Sequence, residues 1–522
     1  MATTDQLQVD QGKGLLKSTS IVSSMTLMSR VFGLIRDMVI AYFFGAGPAA
    51  AAFFVAFKIP NLLRRLFAEG AFANAFVPVL SEYKTLRSHG EVRELVDRVA
   101  GNLGLILLVV TLLGVVGASV VAALFAPGFI YRGQMEEFRM TQEMLRITFP
   151  YLMLVSLTAL CGAILNSYER FAVPAFTPVL LNLSLILCAL YLRPQMQEPV
   201  YSLAWAVLIA GVLQLSFQLP FLNRIHLMPR PKVDRHHEGV KKILALMLPA
   251  LFAVSVGQIN MLLDTVLASF LEIGSIPWLY YSDRLLELPL ALFGIAIATV
   301  ILPSLSASHT GKSPEEFSRT LDWAIRMVCL VGIPATAALI YLAEPLIITI
   351  FYRGDFTERD VLMANLSLKA YALGLLGHML VKVLAPGYFA RQDTTTPVKV
   401  GVVALVTNMV FNLLLIYPLA HVGLALATSI SAFVNAGLLF AGLYRLKVYH
   451  FTRGWLIFGL RILLANLVML ALLVSMNETI EIWLAWDFWI RMGYLLMMCS
   501  AGAGMYLVVL LGSGFRLQQI RR

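Results

Sequence analysis

Charge is the scarcest ingredient of this sequence. Of its 522 residues only 13% are Asp, Glu, Lys or Arg, while 59% are hydrophobic and the mean hydropathy is +0.80. Ordinary soluble proteins carry about 25% charged residues. A single soluble core stops growing at roughly 250–300 residues, so this much apolar sequence has no globule to hide in. The apolar content equally excludes a disordered chain. Cysteine is scarce as well. The four present, Cys161, Cys188, Cys329 and Cys499, are scattered through apolar runs without CxxC or CxxH spacing, which excludes a disulfide scaffold and a zinc centre. No Walker A sequence occurs, so ATP does not drive the protein directly. No Ser/His/Asp or Cys/His set is recognisable, and His378 and His421 stand alone, so the chain does not read as an enzyme.

What is present are long apolar runs. A spanning helix needs about 20 apolar residues. Fourteen such stretches lie near 21–45, 50–83, 101–126, 146–166, 174–193, 200–222, 243–270, 280–306, 321–349, 363–390, 396–420, 421–447, 454–476 and 484–511. The chain reads as an all-α polytopic membrane protein. Its 40 Lys and Arg against 30 Asp and Glu suggest no nucleic acid, because the bases concentrate in loops after even-numbered spans. These include Lys84, Arg87, Arg93 and Arg98, then Arg224, Arg230, Lys232, Arg235, Lys241 and Lys242, then Lys312 and Arg319, then Arg391, then Arg445 and Lys447. The last outer loop instead carries Glu478, Glu481 and Asp487. The positive-inside rule then puts both termini in the cytoplasm. The first span carries Arg30, Arg36 and Asp37, unlike a signal-peptide core, so it reads as a retained helix.

An internal repeat organises the spans. Ile130-Tyr131-Arg132-Gly133 recurs as Phe351-Tyr352-Arg353-Gly354, 221 residues later. Phe76-Val77-Pro78-Val79-Leu80-Ser81 recurs as Ile301-Leu302-Pro303-Ser304-Leu305-Ser306 at 225, and Tyr168-Glu169-Arg170 as Phe389-Ala390-Arg391 at 221. The expected plan is an N-terminal lobe over 1–222, a basic cytoplasmic linker over 223–242, a C-terminal lobe over 243–447 and two extra helices over 448–522. An offset of six spans keeps both copies in one membrane orientation, as in transporters that bind substrate between rocking halves.

The chemistry should lie in charges that a bilayer excludes. By helical rise, Arg30 lies roughly 13 Å and Arg36 about 22 Å into a hydrocarbon core about 30 Å thick. The second span carries Lys58-Ile59-Pro60, whose proline is expected to break the helix, then Arg64, Arg65 and Glu69. The eighth follows an expected interfacial aromatic belt of Trp278, Tyr280 and Tyr281 and carries Asp283, Arg284 and Glu287, with Arg284 able to reach Glu287 at i+3. Each intramembrane charge costs at least roughly 2.5–3.5 kcal/mol, so these residues face water or one another. On one reading Arg36–Asp37 and Arg284–Glu287 are ion pairs that lock helices. That leaves Arg30, Arg64 and Arg65 in excess of acids, and an arginine-rich cavity suits phosphate oxygens. The residues therefore point to a transporter of a large or amphipathic phosphorylated substrate. Asp264 with Asn408, Asn412 and Thr428, all in the outer half of the second lobe, offers the hard oxygen set of a monovalent cation such as sodium. Interhelical hydrogen bonding is the competing reading of the same four residues.

Ser29-Arg30-Val31-Phe32-Gly33-Leu34-Ile35-Arg36-Asp37 and the run from Ala52-Phe53-Phe54-Val55-Ala56-Phe57-Lys58-Ile59-Pro60 to Gly70-Ala71-Phe72 resemble the MurJ/MviN family of bacterial lipid II flippases. So do Arg170-Phe171-Ala172-Val173-Pro174-Ala175-Phe176, Tyr280-Tyr281-Ser282-Asp283-Arg284-Leu285 and Leu384-Ala385-Pro386-Gly387-Tyr388-Phe389-Ala390-Arg391-Gln392. The resemblance runs from about residue 14 to the end. It implies the fourteen-helix fold of the multidrug/oligosaccharidyl-lipid/polysaccharide exporters. It also implies movement of the undecaprenyl-pyrophosphate-linked peptidoglycan precursor, lipid II, from the cytoplasmic to the periplasmic leaflet of the bacterial inner membrane. Arg30, Arg36, Arg64 and Arg284 would contact the substrate head, and Asp37, Asp283, Glu287 and Glu69 would gate or orient them. The two extra helices would form a groove for the lipid tail, no cofactor would be required beyond a possible sodium ion, and the protein would act as a monomer among phospholipids and other cell-wall synthesis proteins. One departure stands out. The family usually has an acidic residue where this chain has Ala51. The alternatives are an ion-coupled drug or cation antiporter, which predicts an acidic cavity, another lipid-linked oligosaccharide flippase on the same fold, and a scaffold, which needs no mid-membrane arginines.

Overall fold

The computed structural model describes residues 2–66, 72–291, 301, 304–305 and 313–515, and these are helical with no β-strand. They fall into two compact units, Met1–Ile273 and Gly274–Arg522. The first holds α1 (Ala2–Phe44), α2 (Pro48–Arg64), α3 (Ala73–Leu86), α4 (His89–Val116), α5 (Ala118–Phe125), α6 (Pro127–Tyr131), α7 (Met135–Thr148), α8 (Pro150–Ser167), α9 (Ala172–Leu187), α10 (Tyr201–Arg224) and α11 (Glu238–Ser269). The second holds α12 (Ser275–Pro289), α13 (Pro314–Tyr341), α14 (Ala343–Phe351), α15 (Glu358–Leu373), α16 (Leu375–Phe389), α17 (Thr395–Arg445), α18 (Trp455–Met476), α19 (Ile480–Ala485) and α20 (Phe488–Gly512). In the first unit α1 packs on α9, α2 on α7, and α10 on both α8 and α9. In the second α12 packs on α15, α16 on α13 and α17, and α18 on α20. The boundary by contacts falls one helix later than the boundary by repeat, because α11 packs against α3, α4, α5 and α6.

Nine helical stretches among the described residues are long and apolar enough to cross a membrane. One of them, α17, is two helices in succession: Ala420 at φ 48°, ψ −128° breaks it where the sequence divides its eleventh and twelfth spans. An alanine pays strain at positive φ, and Gly423 lets the turn close, since a Cβ there would stand 2.3 Å from the Leu415 carbonyl oxygen. The helices that carry the charged candidates, α1, α2, α11 and α12, are outside those nine, and α2 and α12 run up to residues that are not described. Large apolar side chains cover the outside of the spans, with Val116 81% and Leu456 78% exposed. Such surface is a liability in water and ordinary in hydrocarbon.

Local signals explain the helix ends. Ser88 and Glu91 form a capping box at the start of α4, and Thr357 and Asp360 another at α15. Proline occupies the first turn of α2, α6, α8 and α13, where its missing N–H costs nothing.

Three expectations are corrected. Arg93 and Arg98 lie on α4 and not in a loop: the helix begins at His89, because Val92, Leu95, Val96 and Val99 bury one face while Arg98 pairs with Glu94 and Asp234 on the other. Pro60 does not break α2, which continues to Arg64. Pro60 and the neighbouring Ile59 and Leu62 are buried, and the backbone takes a wider turn after the helix, at residues 65–66. Proline within a span is tolerated where neighbours and local adjustments absorb the lost hydrogen bond. Trp278 and Tyr281 form no interfacial belt, being 2% and 0% exposed. The Trp278 indole N–H donates to Asp360 Oδ1 at 2.8 Å, and the Tyr281 ring packs on Phe351 and Phe356.

Local geometry recurs at the offsets of the sequence repeat. The Tyr-Arg-Gly motifs end α6 and α14 with positive-φ glycines, Gly133 at 72° and Gly354 at 58°. The ends of α10 and α17 turn alike at His226 (φ 57°) and Lys447 (φ 56°), 221 residues apart. In each copy a buried aspartate then grips the chain that follows. Asp97 on α4 accepts from the Arg230 N–H at 2.7 Å, and its carbonyl from the Lys232 N–H at 3.0 Å. Asp322 on α13, 225 residues on, accepts from Tyr449 at 2.7 Å, Trp455 at 2.8 Å, Thr452 at 2.5 Å and Arg326 at 2.9 Å. The basic linker is thus docked on α4. Gly101 admits it, since a Cβ there would stand 2.2 Å from the Lys232 carbonyl oxygen.

Candidate functional site

In the first unit the candidate charges lie on α1 and α2. Arg36 is 6% exposed and Asp37 0%. The Arg36 Nε and Nη2 donate to Asp37 Oδ1 at 2.9 and 2.6 Å, and its Nη1 to Asn182 Oδ1 at 2.9 Å. Asn182, on α9, also donates from Nδ2 to the Ser29 carbonyl at 2.9 Å, so one amide holds both the guanidinium and the backbone of α1. Gly33 leaves room for it, with the Asn182 Nδ2 3.6 Å from where a Cβ would sit. Arg30 differs. It is half-buried, and no hydrogen bond or ion pair joins it to a described residue.

On α2 the half-buried Arg64 donates from Nε and Nη2 to Asn61 Oδ1 at 3.0 and 2.9 Å, one turn back on its own helix. Arg65, also half-buried, has no such partner among the described residues. Glu69 lies outside the described residues. Ala51 is 1% exposed on the buried stretch Ala50–Phe57, so a carboxylate at that position would need burial too.

In the second unit Arg284 on α12 donates to Glu287 Oε2 at 2.7 Å, the i+3 pair that the spacing predicts, and to the Tyr280 hydroxyl at 3.3 Å. Its guanidinium also lies over the Tyr280 ring, 5.4 Å from the centroid. Both side chains of the pair keep about a third of their surface exposed, at 32% and 38%, so Coulomb attraction between them is screened. Asp283 is half-buried beside them. The helix is held by Ser282, which donates to the Ala364 carbonyl of α15 at 2.8 Å. The description of this span is continuous to residue 291 and resumes only at 301 and 304–305, so Lys312 and half of the second copy of the Phe76 motif (302, 303 and 306) lie outside the described residues.

The candidate cation ligands divide between the units. Asp264, half-buried on α11, belongs to the first. The other three meet across the break in α17: Asn412 Nδ2 donates to Asn408 Oδ1 at 2.8 Å, and Asn408 Nδ2 to Thr428 Oγ1 at 3.3 Å, with both asparagines 0% exposed. Asn61 and Asn182 were missed by reasoning from charge alone. Asn182 has a visible signal, a lone amide in the apolar run Val179-Leu180-Leu181-Asn182-Leu183.

A helical, multi-span membrane protein with a buried arginine on α1 and half-buried ones on α1, α2 and α12 fits the transporter class. A solved "Inward-facing conformation of a multidrug resistance MATE family transporter of the MOP superfamily" matches 82% of this chain and 97% of its own, with TM-score 0.68 and 15% identity, a likeness of fold alone. The family described as "Lipid II flippase MurJ" matches residues 40–493. The "Probable lipid II flippase MurJ" of Vibrio cholerae is 50% identical over 98% of this chain and 99% of its own length. A solved structure titled "Lipid II flippase MurJ, inward closed conformation" covers 94% of this chain and 97% of its own, with 27% identity and TM-score 0.79. The chain belongs to the MurJ family. Its relatives are named as flippases, which are transporters and not enzymes.

Proposed function

We propose that this protein flips lipid II from the cytoplasmic to the periplasmic leaflet of the bacterial inner membrane, and that Arg30, Arg36, Arg64 and Arg284 receive the pyrophosphate–sugar head. The observation that carries this reading is Arg30. A half-buried guanidinium with no described partner, roughly 9 Å along α1 from the neutralised Arg36–Asp37 pair, is an anion site in waiting. Arg36 joins it by exchanging Asp37 and Asn182 for phosphate oxygens, and Arg284 by releasing Glu287. Asp37, Asp283, Glu287 and Glu69 are the orienting acids. Alternating access needs two states that the substrate head binds unequally, and acids that reclaim the arginines after release supply that inequality.

The same reading has fourteen spans with both termini cytoplasmic, lobes over 1–222 and 243–447, the linker between them, and helices α18 and α20 as the lipid-tail groove. It has a sodium ion held by Asp264, Asn408, Asn412 and Thr428 in the outer half of the second lobe, a monomer in phospholipid, and cell-wall synthesis proteins as neighbours. Arg30→Ala, Arg36→Ala and Arg284→Ala each abolish flipping while the protein stays in the membrane. Lysine fails at one or more of these positions, because a point charge lacks the two-pronged geometry. Normal growth on all three alanine variants, each as the sole flippase copy, overturns the assignment.

A further inference from the structure

We infer that the second unit carries a separate lipid-headgroup site, a cavity of about 600 Å³ between the Tyr352–Glu358 turn and the start of α20, which takes the phosphate–ammonium zwitterion of an ethanolamine phospholipid. The volume lies in the ordinary range for small-ligand sites, about 300–1,000 Å³. Arg353 and Arg491 supply positive charge to its lining, and Glu358 and Asp487 negative charge. Among the described residues neither arginine forms an ion pair with either acid.

Arg491 is 8% exposed. Its Nη1 donates to the Tyr352 carbonyl at 3.0 Å and its Nη2 to the Leu484 carbonyl at 2.8 Å, while its buried Nε has no hydrogen-bond partner. Arg353 spends one nitrogen, Nη2, on the Thr349 and Ile350 carbonyls at 2.9 and 3.1 Å, and its guanidinium lies 4.2 Å from the Phe488 ring centroid. Its remaining N–H groups are available. Burial and the Arg491 charge both push Arg353 below the usual arginine range, which an incoming anion would relieve. Among the described residues Glu358 and Asp487 accept only long hydrogen bonds, 3.4 Å from the Tyr352 hydroxyl and 3.4 Å from the Trp489 N–H. The cavity therefore holds charges of both signs without a direct ion pair, Asp487 acting on Arg491 only through space.

That pattern selects the ligand. A purely anionic headgroup meets two carboxylates. A quaternary ammonium brings no N–H for them to accept, whereas a primary ammonium brings three. Aromatic side chains fix the depth: the Trp486 ring stands 5.2 Å from Trp483 and 4.9 Å from Tyr494, and Trp489 is 76% exposed. Such a girdle sits at the headgroup level of a bilayer. The motif itself is the second copy of the repeated Tyr-Arg-Gly turn. In the first copy Arg132 donates to the Phe270 carbonyl at 3.2 Å, at the end of α11. In the second, the start of α20 closes over the turn and adds Arg491. The topology proposed above puts this site at the outer leaflet, the one part of the inference that rests on that reading.

The test uses full-length protein in phosphatidylcholine nanodiscs, doped with phosphatidylethanolamine or phosphatidylglycerol, or given soluble O-phosphoethanolamine. Phosphatidylethanolamine should raise the melting temperature more than phosphatidylglycerol does, and the soluble headgroup should do little. R353Q should remove most of that rise, and E358Q should bring phosphatidylethanolamine down to the level of phosphatidylglycerol. These two variants are used because Arg491 holds backbone carbonyls and its loss risks misfolding. Equal effects of the two lipids, a preference that survives both variants, or a rise obtained from soluble O-phosphoethanolamine alone would each overturn the site. Flipping, read separately by growth, is unaffected by any of these outcomes.

Discussion

Replacing Asp322 with alanine should cut the thermal stability of the second unit sharply. The residue is 3% exposed and its two oxygens serve four donors, from Tyr449, Trp455, Thr452 and Arg326. Alanine strands the Tyr449 hydroxyl, in a residue 0% exposed, and leaves Arg326 without its acid. Removing one partner of a buried, hydrogen-bonded pair costs about 3–5 kcal/mol. A unit of this size loses about 2–4 °C per kcal/mol, so the melting temperature should fall by on the order of 10 °C. Asp322→Asn keeps an acceptor for Tyr449 and Trp455 and should lose roughly half as much. The repeat supplies the control. Asp97 is equally buried, but its carboxylate serves only the Arg230 N–H among the described residues, so Asp97→Ala should cost about 1–2 kcal/mol. Thermal unfolding of the purified variants reads both. A loss at Asp97 equal to that at Asp322 would refute the counting of donors on which the contrast rests.

Gly101→Ala drives a methyl into the Lys232 backbone and should cost about 1–3 kcal/mol, visible as faster proteolysis between residues 225 and 237. Burial and the Arg98 charge hold His237 below its ordinary value of 6.5, so the unfolded chain binds the proton more readily. Its contribution to linker docking is therefore present above pH 6.5 and fades as the pH falls through the folded value; His237→Gln should flatten that part of the proteolysis profile. Sodium should raise the melting temperature more than equimolar potassium, and Asp264→Ala should remove the difference; equal effects of the two salts would reduce the cluster to helix-joining hydrogen bonds.

Much of this was legible in the sequence. Apolar runs marked the nine long apolar helices found among the described residues, and the division at residues 420 and 421 coincides with the break at Ala420. The Arg284–Glu287 pair followed from i+3 spacing. What escaped has a common cause: helices whose charges are satisfied by distant residues do not look apolar. The first turns of α4 read as a basic loop because Arg98 meets Asp234 only after the chain has crossed the membrane repeatedly. Trp278 and Tyr281 read as an interfacial belt, because sequence cannot show that Asp360 and Phe351 come to meet them. Asn182 was passed over since an amide carries no charge, although it positions the most deeply buried arginine of the candidate set.

The contact of Arg36 with Asp37 and Asn182 bears on the half of the cycle in which nothing is carried. A flippase must bring its binding surface back after each delivery, and an unaccompanied guanidinium would make that return the slowest step. With a carboxylate one residue away and an amide on α9, the empty protein carries a built-in counter-ion, and its resting state is electrically quiet at Arg36. If Arg36 receives the substrate head as proposed, cargo has to outcompete that internal anion to load, and weak phosphates are turned away by a rival already in the seat. On that proposal, selectivity and a low return barrier come from the same three side chains.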